Sequence, residues 1–399
     1  MSLLTGGVWL DARGTQSATH AERGIARYIT EQTRALIEAQ PDLEVFIGLD
    51  PNLPVPPSLE ALRGADRLRW HTRTEPEVEQ LPSIYHVMSP FESAIELEDI
   101  WPEWVRGSGC RTVVTLYDLI PLVMRDRYLT DSNWGIWGTV WMARLGLIRA
   151  ANQVLTISRQ TATDAGEHLG IPEERLTVID SGVSWELSSL VESRPAAESL
   201  LRKSYRRLRP GFLLYVGGDD PRKNLEGTIE AYSLLPESAR RAHQLVIVCN
   251  LPLARRAQLM AHGRRLGIRL RDLLLTGFVA EEELAALYRG CELFIFPSLY
   301  EGAGLPVLEA MSCEAAVAAS NTSSIPEILG DLEATFDPAD PTDIARCIVE
   351  VLDSPSRIDS LRKRSRDRVR MFTWEQVAER TLEGYQRSLH TAPSPTAAR

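Results

Sequence analysis

Glu301 and Glu309 stand eight residues apart around Gly-Ala-Gly-Leu-Pro in the stretch "LYEGAGLPVLEA". The preceding "CELFIFPS" is a continuous apolar run of the strand type, and "LPVLEAMSCEAA" reads as a helix. Pro306 falls in its first turn, where a missing N–H costs nothing. Gly302 and Gly304 let the backbone come close to a ligand, and the N–H groups at a helix start favour an anion. Carboxylate oxygens accept hydrogen bonds from hydroxyls. Two such acceptors on either side of an anion site suit a ligand with sugars on both sides of a phosphate, which describes a nucleotide sugar. Each glutamate taken alone also reads as a loop cap or a solvated helix residue. The glycines, the proline and the buried strand before them favour the ligand.

A second segment, "YVGGDDPRKNLEGTIEAY", also follows a strand and opens a helix. Gly217 and Gly218 form another close-approach turn, and Arg222 and Lys223 lie side by side just before the helix. A diphosphate leaving group needs positive charge as its bond to a sugar breaks; arginine offers a planar fork and lysine a point charge. The rival reading makes them surface charges paired with Asp219 and Asp220. No His/Cys/Asp set with metal-ligand spacing is visible, so no metal is assigned.

The elements that must hold these residues alternate. "VWLDA", "EVFIGLD", "SIYHVM", "RTVVTLYDL", "QVLTIS" and "RLTVIDSGV" in the first half, and "FLLYVGG", "QLVIVCN", "DLLLTGF" and "CELFIFPS" in the second, are continuous rather than alternating apolar runs. That pattern belongs to strands buried on both faces. Helical patterns such as "AERGIARYITEQTRALIEAQ" lie between them, so the reading is α/β, with two doubly wound, Rossmann-like domains in tandem and a cleft between them. The first domain is expected over 1–190, a linker over 191–210, the second domain over 211–372 and a disordered tail over 391–399. In such open sheets ligands bind beyond the carboxyl ends of the strands.

The chain of 399 residues is too long for one ordinary core, and 44% hydrophobic with 25% charged residues is globular composition. A net charge of −10 makes nucleic acid an unsuitable partner, though a local basic patch can still hold phosphate. The five cysteines are dispersed, without a C-x-x-C pair, and read as free thiols in a reducing compartment. "MSLLTGGVWLDARG" has neither a basic n-region nor a long apolar h-region, and no run approaches the roughly 20 apolar residues of a membrane span. The expected location is the cytoplasm, with peripheral contact at the inner face of the membrane left open.

"PRKN", "LTGFV", "LFIFPSLYEGAGLPVLEAM" and "SSIPEILGD" resemble the C-terminal domain of retaining glycosyltransferases of family 4, which have the GT-B fold. "RGIARYI", "YHVMSPFE", "YDLIPL", "TISRQTATDA" and "FTWEQVAERTLEGY" resemble the N-terminal domain and closing helix of the same family, so helix 373–390 is expected to pack back on the first domain. The resemblance runs in order along nearly the whole chain. It implies that Glu301 and Glu309 are the family's E-x7-E pair, the first facing the donor sugar and the second the ribose. It implies that the amides of Ala303, Gly304 and Leu305 bind sugar hydroxyls and the distal phosphate. Arg222 and Lys223 match the basic pair on the diphosphate, Phe278 and Val279 the loop beside the base, and Gly24 a glycine close to the diphosphate. The implied reaction moves a hexosyl group with retention, the donor phosphate taking the acceptor's proton, with no obligatory metal or other cofactor. The implied donor is GDP-mannose or a UDP-sugar. The acceptor is a saccharide, a lipid-linked sugar or a natural product.

Two departures qualify the resemblance. Tyr117 takes the place of a histidine common in the family, and tyrosine cannot shuttle a proton near neutral pH. Asp118 then becomes the more interesting group, with Tyr117, His86 and His20 as acceptor-side candidates and a core role as the rival for His86. "DSGVS", with Asp180, Ser181 and Gly182, replaces the usual Pro-Asn-Gly. A nicotinamide-dependent oxidoreductase would need G-x-G-x-x-G after the first strand, which "LLTGGVWLDARG" does not supply. The remaining alternatives are a non-catalytic nucleotide-sugar sensor or partner subunit, and a GT-B enzyme of another reaction type, such as a phosphorylase or epimerase.

Overall fold

A computed structural model describes residues 6–16, 24–62, 68–71, 81–91, 100–330 and 333–391. His20 and, apart from Thr391, the expected tail 391–399 lie outside the described residues. The chain divides into two units, 1–182 with 373–399, and 183–372.

The first unit carries seven strands among the described residues: β1 (Val8–Asp11), β2 (Val45–Gly48), β3 (Leu68–His71), β4 (Ile84–Val87), β5 (Arg111–Leu116), β6 (Gln153–Thr156) and β7 (Leu176–Val178). They pair in parallel in the order β3-β2-β1-β4-β5-β6-β7. β1 lies between β2 and β4, with Val8 opposite both Val45 and Ile84. Parallel neighbours need a long crossover, and helices such as Gly24–Ala39 and Arg159–Leu169 supply it. Ser158 caps the second of these by accepting from the Thr161 amide, and Gly170 ends it at φ 66°. The helix Trp374–His390 also lies on this unit: Gln32 Nε2 donates to Thr381 Oγ1 at 3.0 Å, and Arg387 Nη1 to the Leu176 carbonyl at 2.9 Å.

The second unit carries β8 (Leu213–Val216), β9 (Leu245–Val248), β10 (Leu273–Leu275), β11 (Leu293–Phe296), β12 (Val317–Ser320) and β13 (Thr335–Phe336), in the order β10-β9-β8-β11-β12-β13 and again parallel. Every residue of Leu245–Val248 and Leu293–Phe296 is buried, which explains their unbroken apolar sequence. The chain winds outward from β8 to β10 and then returns to place β11 against the other side of β8. The loops after β8 and β11 therefore diverge at this switch point, where a doubly wound sheet opens a crevice for a ligand.

The stretch 191–210 is not the linker expected of it. The helix Arg194–Ser204 buries Ala197 and Leu201, and Leu201 Cδ1 lies 3.1 Å from where a Cβ on Gly290 would stand. Its apolar face belongs to the core of the second unit, and the change of unit falls earlier, at Gly182–Val183. Of its charged residues, Arg202 and Lys203 are exposed, whereas Arg194 pairs with Glu292 at 2.6 Å and Arg209, beyond the helix, with Asp272 at 3.0 Å.

Candidate active site

The loops after β8 and β11 bring Arg222, Lys223 and Glu301 into one cluster. Arg222 Nη1 donates to Glu301 Oε2 at 2.7 Å, and Lys223 Nζ to Oε1 at 2.5 Å, so each carboxylate oxygen holds one cation. The two basic side chains reach it from a single turn of 3-10 helix, Pro221–Lys223, which Asp220 caps by accepting from the Arg222 amide at 2.9 Å. Asn224 follows with φ 56°, a left-handed residue that swings the chain into the helix Leu225–Leu234. The two loops are tied directly, the Leu299 amide donating to the Arg222 carbonyl at 2.7 Å.

Glu301 is held from behind as well. Its amide donates to Ser323 Oγ at 3.0 Å, and Ser324 Oγ donates to its carbonyl at 3.0 Å. Ser323 sits at φ 54°, a strained value for a residue with a Cβ, and that conformation turns its hydroxyl to the Glu301 amide. The Glu301 side chain is 7% exposed, against 19% for Arg222 and 13% for Lys223, so the cations remain the more reachable partners. Burial alone raises the carboxyl pKa, but the charges of Lys223 and then Arg222 outweigh it and hold the group below its ordinary value. The carboxylate is thus ionised at neutral pH, buried between two cations.

The glycines differ in what they do. A Cβ on Gly304 would come within 2.5 Å of Ile325 Cδ1, and the residue has φ 72°; it forms the turn through Ala303 and Leu305 into the helix Leu305–Ser312, with Pro306 in its first turn. A Cβ on Gly217 would meet the Tyr215 hydroxyl at 2.7 Å, whereas one on Gly218 would meet nothing within 4 Å, so Gly218 faces open space. Glu309, half-buried on the same helix, accepts from the Tyr288 hydroxyl at 3.1 Å. Beyond β10, Phe278 is 81% exposed, an aromatic face open to solvent, while the Val279 side chain is turned into the core. Any contact from Val279 to a ligand would have to come from its backbone.

In the first unit, Asp118 follows β5 and accepts from the Ile120 amide at 3.1 Å, closing a turn over the helix Ile120–Val123. Tyr117 packs edge-on against Tyr28, with ring centroids 5.4 Å apart. Gly24 is exposed at the first position of its helix. His86 does not take the acceptor-side place expected of it. It lies within β4, wholly buried, its Nδ1 2.8 Å from the Tyr385 hydroxyl and its Nε2 2.8 Å from Thr115 Oγ1. Burial lowers its pKa to about 3, so it is a neutral core histidine joining the sheet to the last helix.

Several supporting residues carry no signal in the sequence. Arg255, 32 residues beyond Lys223, donates to Asp219 at 2.9 Å and also pairs with Glu226, bracing the loop and helix around Arg222. Asp219 and Asp220 are therefore committed to arginines, Asp220 to Arg222 at 3.6 Å. Asp11 and Arg13 form a buried pair at the end of β1, with two bonds of 2.7 Å, and the Tyr85 hydroxyl donates to Asp11 at 3.0 Å.

Two family models match in tandem: "Glycosyltransferase Family 4" over residues 23–187 and "Glycosyl transferases group 1" over residues 198–368. The chain therefore belongs to the glycosyltransferases of GT-B fold and family 4 type. Among individual relatives, it is 32% identical to the serotype-specific mannosyltransferase WbdA of Escherichia coli over 78% of this chain and 37% of that protein. It thus spans little more than a third of that relative's length. It is 27% identical to the MMP alpha-(1->4)-mannosyltransferase of Mycolicibacterium hassiacum, over 94% of this chain and 97% of that one. The sucrose-phosphate synthase of Thermosynechococcus elongatus superposes with a TM-score of 0.70 at 20% identity, covering 96% of this chain and 99% of the other. HepE of Anabaena, solved with UDP and glucose, gives 0.66 at 16% identity, covering 94% and 98%. At these identities the structural likeness is one of fold.

Proposed function

We propose that the chain is a retaining hexosyltransferase whose donor is a nucleoside diphosphate sugar, with GDP-mannose the first candidate and UDP-sugars the next. The observation that carries this reading is the Arg222–Lys223–Glu301 cluster at the switch point of the second sheet, beside the Gly304 turn into a helix. In it, Arg222 and Lys223 take the diphosphate, the amides at Ala303, Gly304 and Leu305 take sugar hydroxyls and the distal phosphate, and Glu301 faces the donor sugar. Gly218 leaves room for the phosphates and Phe278 offers a face for the base. Mannosyl transfer is preferred because the WbdA proteins and the Mycolicibacterium hassiacum enzyme are named mannosyltransferases. The acceptor is a hydroxyl of a growing saccharide, with a lipid-linked sugar or a natural product as the other classes.

The chemistry assigned to these residues is charge management. As the bond between sugar and phosphate lengthens, negative charge grows on the diphosphate, and two preorganised cations with helix-terminal amides stabilise it. The departing phosphate oxygen takes the acceptor's proton from the same face, which gives retention. In this reaction the charge is carried by side chains and amides, without an obligatory metal. Glu301 is ionised and so placed to accept hydroxyl hydrogen bonds rather than to donate a proton. Asp118 is assigned a catalytic role and Tyr117 an acceptor contact, and no proton shuttle is then required.

A second reading, a nucleotide-sugar sensor without turnover, is favoured by Tyr117 alone. The experiment that separates the two is a panel of GDP- and UDP-sugars, scored for thermal stabilisation and for slow donor hydrolysis. The enzyme reading expects one donor both to stabilise the protein and to be hydrolysed, with the product anomer matching the donor's. Stabilisation without hydrolysis or transfer to any mannoside or lipid-linked acceptor would favour the sensor.

A further inference from the structure

We propose that Tyr288 is a positioning residue for the donor, fixing the Glu309 carboxylate that receives the ribose hydroxyls; the inference rests on the donor-site reading above. Tyr288 lies on the helix Glu281–Gly290 and is fully buried. Its ring meets Phe294 edge-on, with centroids 5.2 Å apart at 84°, which leaves it little freedom. Its hydroxyl donates to Glu309 Oε2 at 3.1 Å across to the helix Leu305–Ser312.

The chemistry argues that this hydroxyl has a purpose. A buried phenol must find a partner to offset its desolvation, and phenylalanine would fill the same aromatic core without that demand. Burial first, and then the charge of Glu309, raise the Tyr288 pKa well above its ordinary value. The hydroxyl therefore stays protonated near neutral pH and donates to Glu309. Glu309 is four residues after Leu305, so both lie on one helical face, and helical side chains lean toward the N-terminus. Glu309 therefore shares the face of Leu305, and Tyr288 holds one of its carboxylate oxygens at 3.1 Å. A ribose joined to a phosphate at that helix start has its hydroxyls within the reach of such a group.

The test compares wild type with Tyr288→Phe in calorimetric titrations of GDP and UDP and of their 2′,3′-dideoxy counterparts. Tyr288→Phe is expected to weaken binding of the preferred diphosphate by about three- to tenfold, the range of one hydrogen bond, and to leave the dideoxy compound unchanged. In turnover the KM for the donor should rise by the same factor with kcat unaltered. Equal losses for both ligands would show a merely structural tyrosine, and no loss for either would show an irrelevant one; each overturns the proposal. If wild type binds no nucleoside diphosphate at all, the donor-site reading itself falls, and the inference with it. Should Tyr288→Phe not fold, 3-fluorotyrosine at 288 alters the acidity of the hydroxyl with little change of shape. A shift in affinity seen with the diphosphate and absent with its dideoxy form then supports the proposal, and an equal response contradicts it.

Discussion

Glu301 is held by two cations, and this fixes what its loss would do. Glu301→Gln keeps the shape and the backbone clamp from Ser323 and Ser324 but removes the charge that Arg222 and Lys223 share. Loss of one preorganised group at the reacting centre commonly costs about 100- to 1000-fold in rate. We expect transfer and donor hydrolysis to fall by that order, while the free nucleoside diphosphate binds at least as tightly, because the carboxylate no longer competes for the cations. Separate titration and turnover measurements check both halves, and near wild-type turnover would remove Glu301 from the site. All three residues were singled out from loops after buried strands, but their pairing was not: the sequence offered Asp219 and Asp220 as partners for the cations. The bonds made by Arg255, Ser323 and Tyr288 were not read either, because partners 21 to 36 residues apart in sequence leave no periodic trace when the fold alone brings them near.

At the scale of elements, the turn into the helix Leu305–Ser312 depends on Gly304. With φ 72° and Ile325 Cδ1 only 2.5 Å from a would-be Cβ, alanine there is both strained and crowded. Gly304→Ala should destabilise the protein by about 1–3 kcal/mol and weaken donor binding in parallel. Chemical denaturation and a GDP or UDP titration of the same variant measure the two effects, and an unchanged midpoint would contradict the packing argument. The buried strands were readable because two covered faces demand unbroken apolar runs, as in Leu293–Phe296. The strand β3 was not read: "LRWH" lies at the edge of its sheet, where a polar residue is tolerated. The helix Arg194–Ser204 was mistaken for a linker because its two buried residues, Ala197 and Leu201, are outnumbered by its charges at Arg194, Glu198, Arg202 and Lys203.

At the scale of the whole chain, two sheets of one design come from sequences with no evident likeness, since the shared demand is for burial and crossover, not for particular residues. The first is closed by the last helix, and His86 to Tyr385 is one of its fastenings. Burial lowers the His86 pKa to about 3, against about 6.5 in an unfolded chain. The unfolded state then binds more protons below pH 6.5, so the stability tied to neutral His86 is complete above that value and is lost as pH falls toward 3. Urea unfolding between pH 8 and pH 4 should show a steeper loss in wild type than in His86→Gln, by up to a few kcal/mol. Equal slopes would show that His86 takes up its proton without unfolding. Against a net charge of −10, Arg222 and Lys223 form a local basic patch, and binding of a diphosphate there should weaken with added salt.

Whether Arg222 and Lys223 with Glu301 form a donor site is decided by titrating GDP and UDP against wild type and Lys223→Ala. Wild type is expected to bind one of them saturably, with at least a tenfold loss in Lys223→Ala, whose Glu301 keeps Arg222 as partner and whose fold should survive. Equal affinity in the folded variant would mean that the phosphates bind elsewhere and would contradict the assignment.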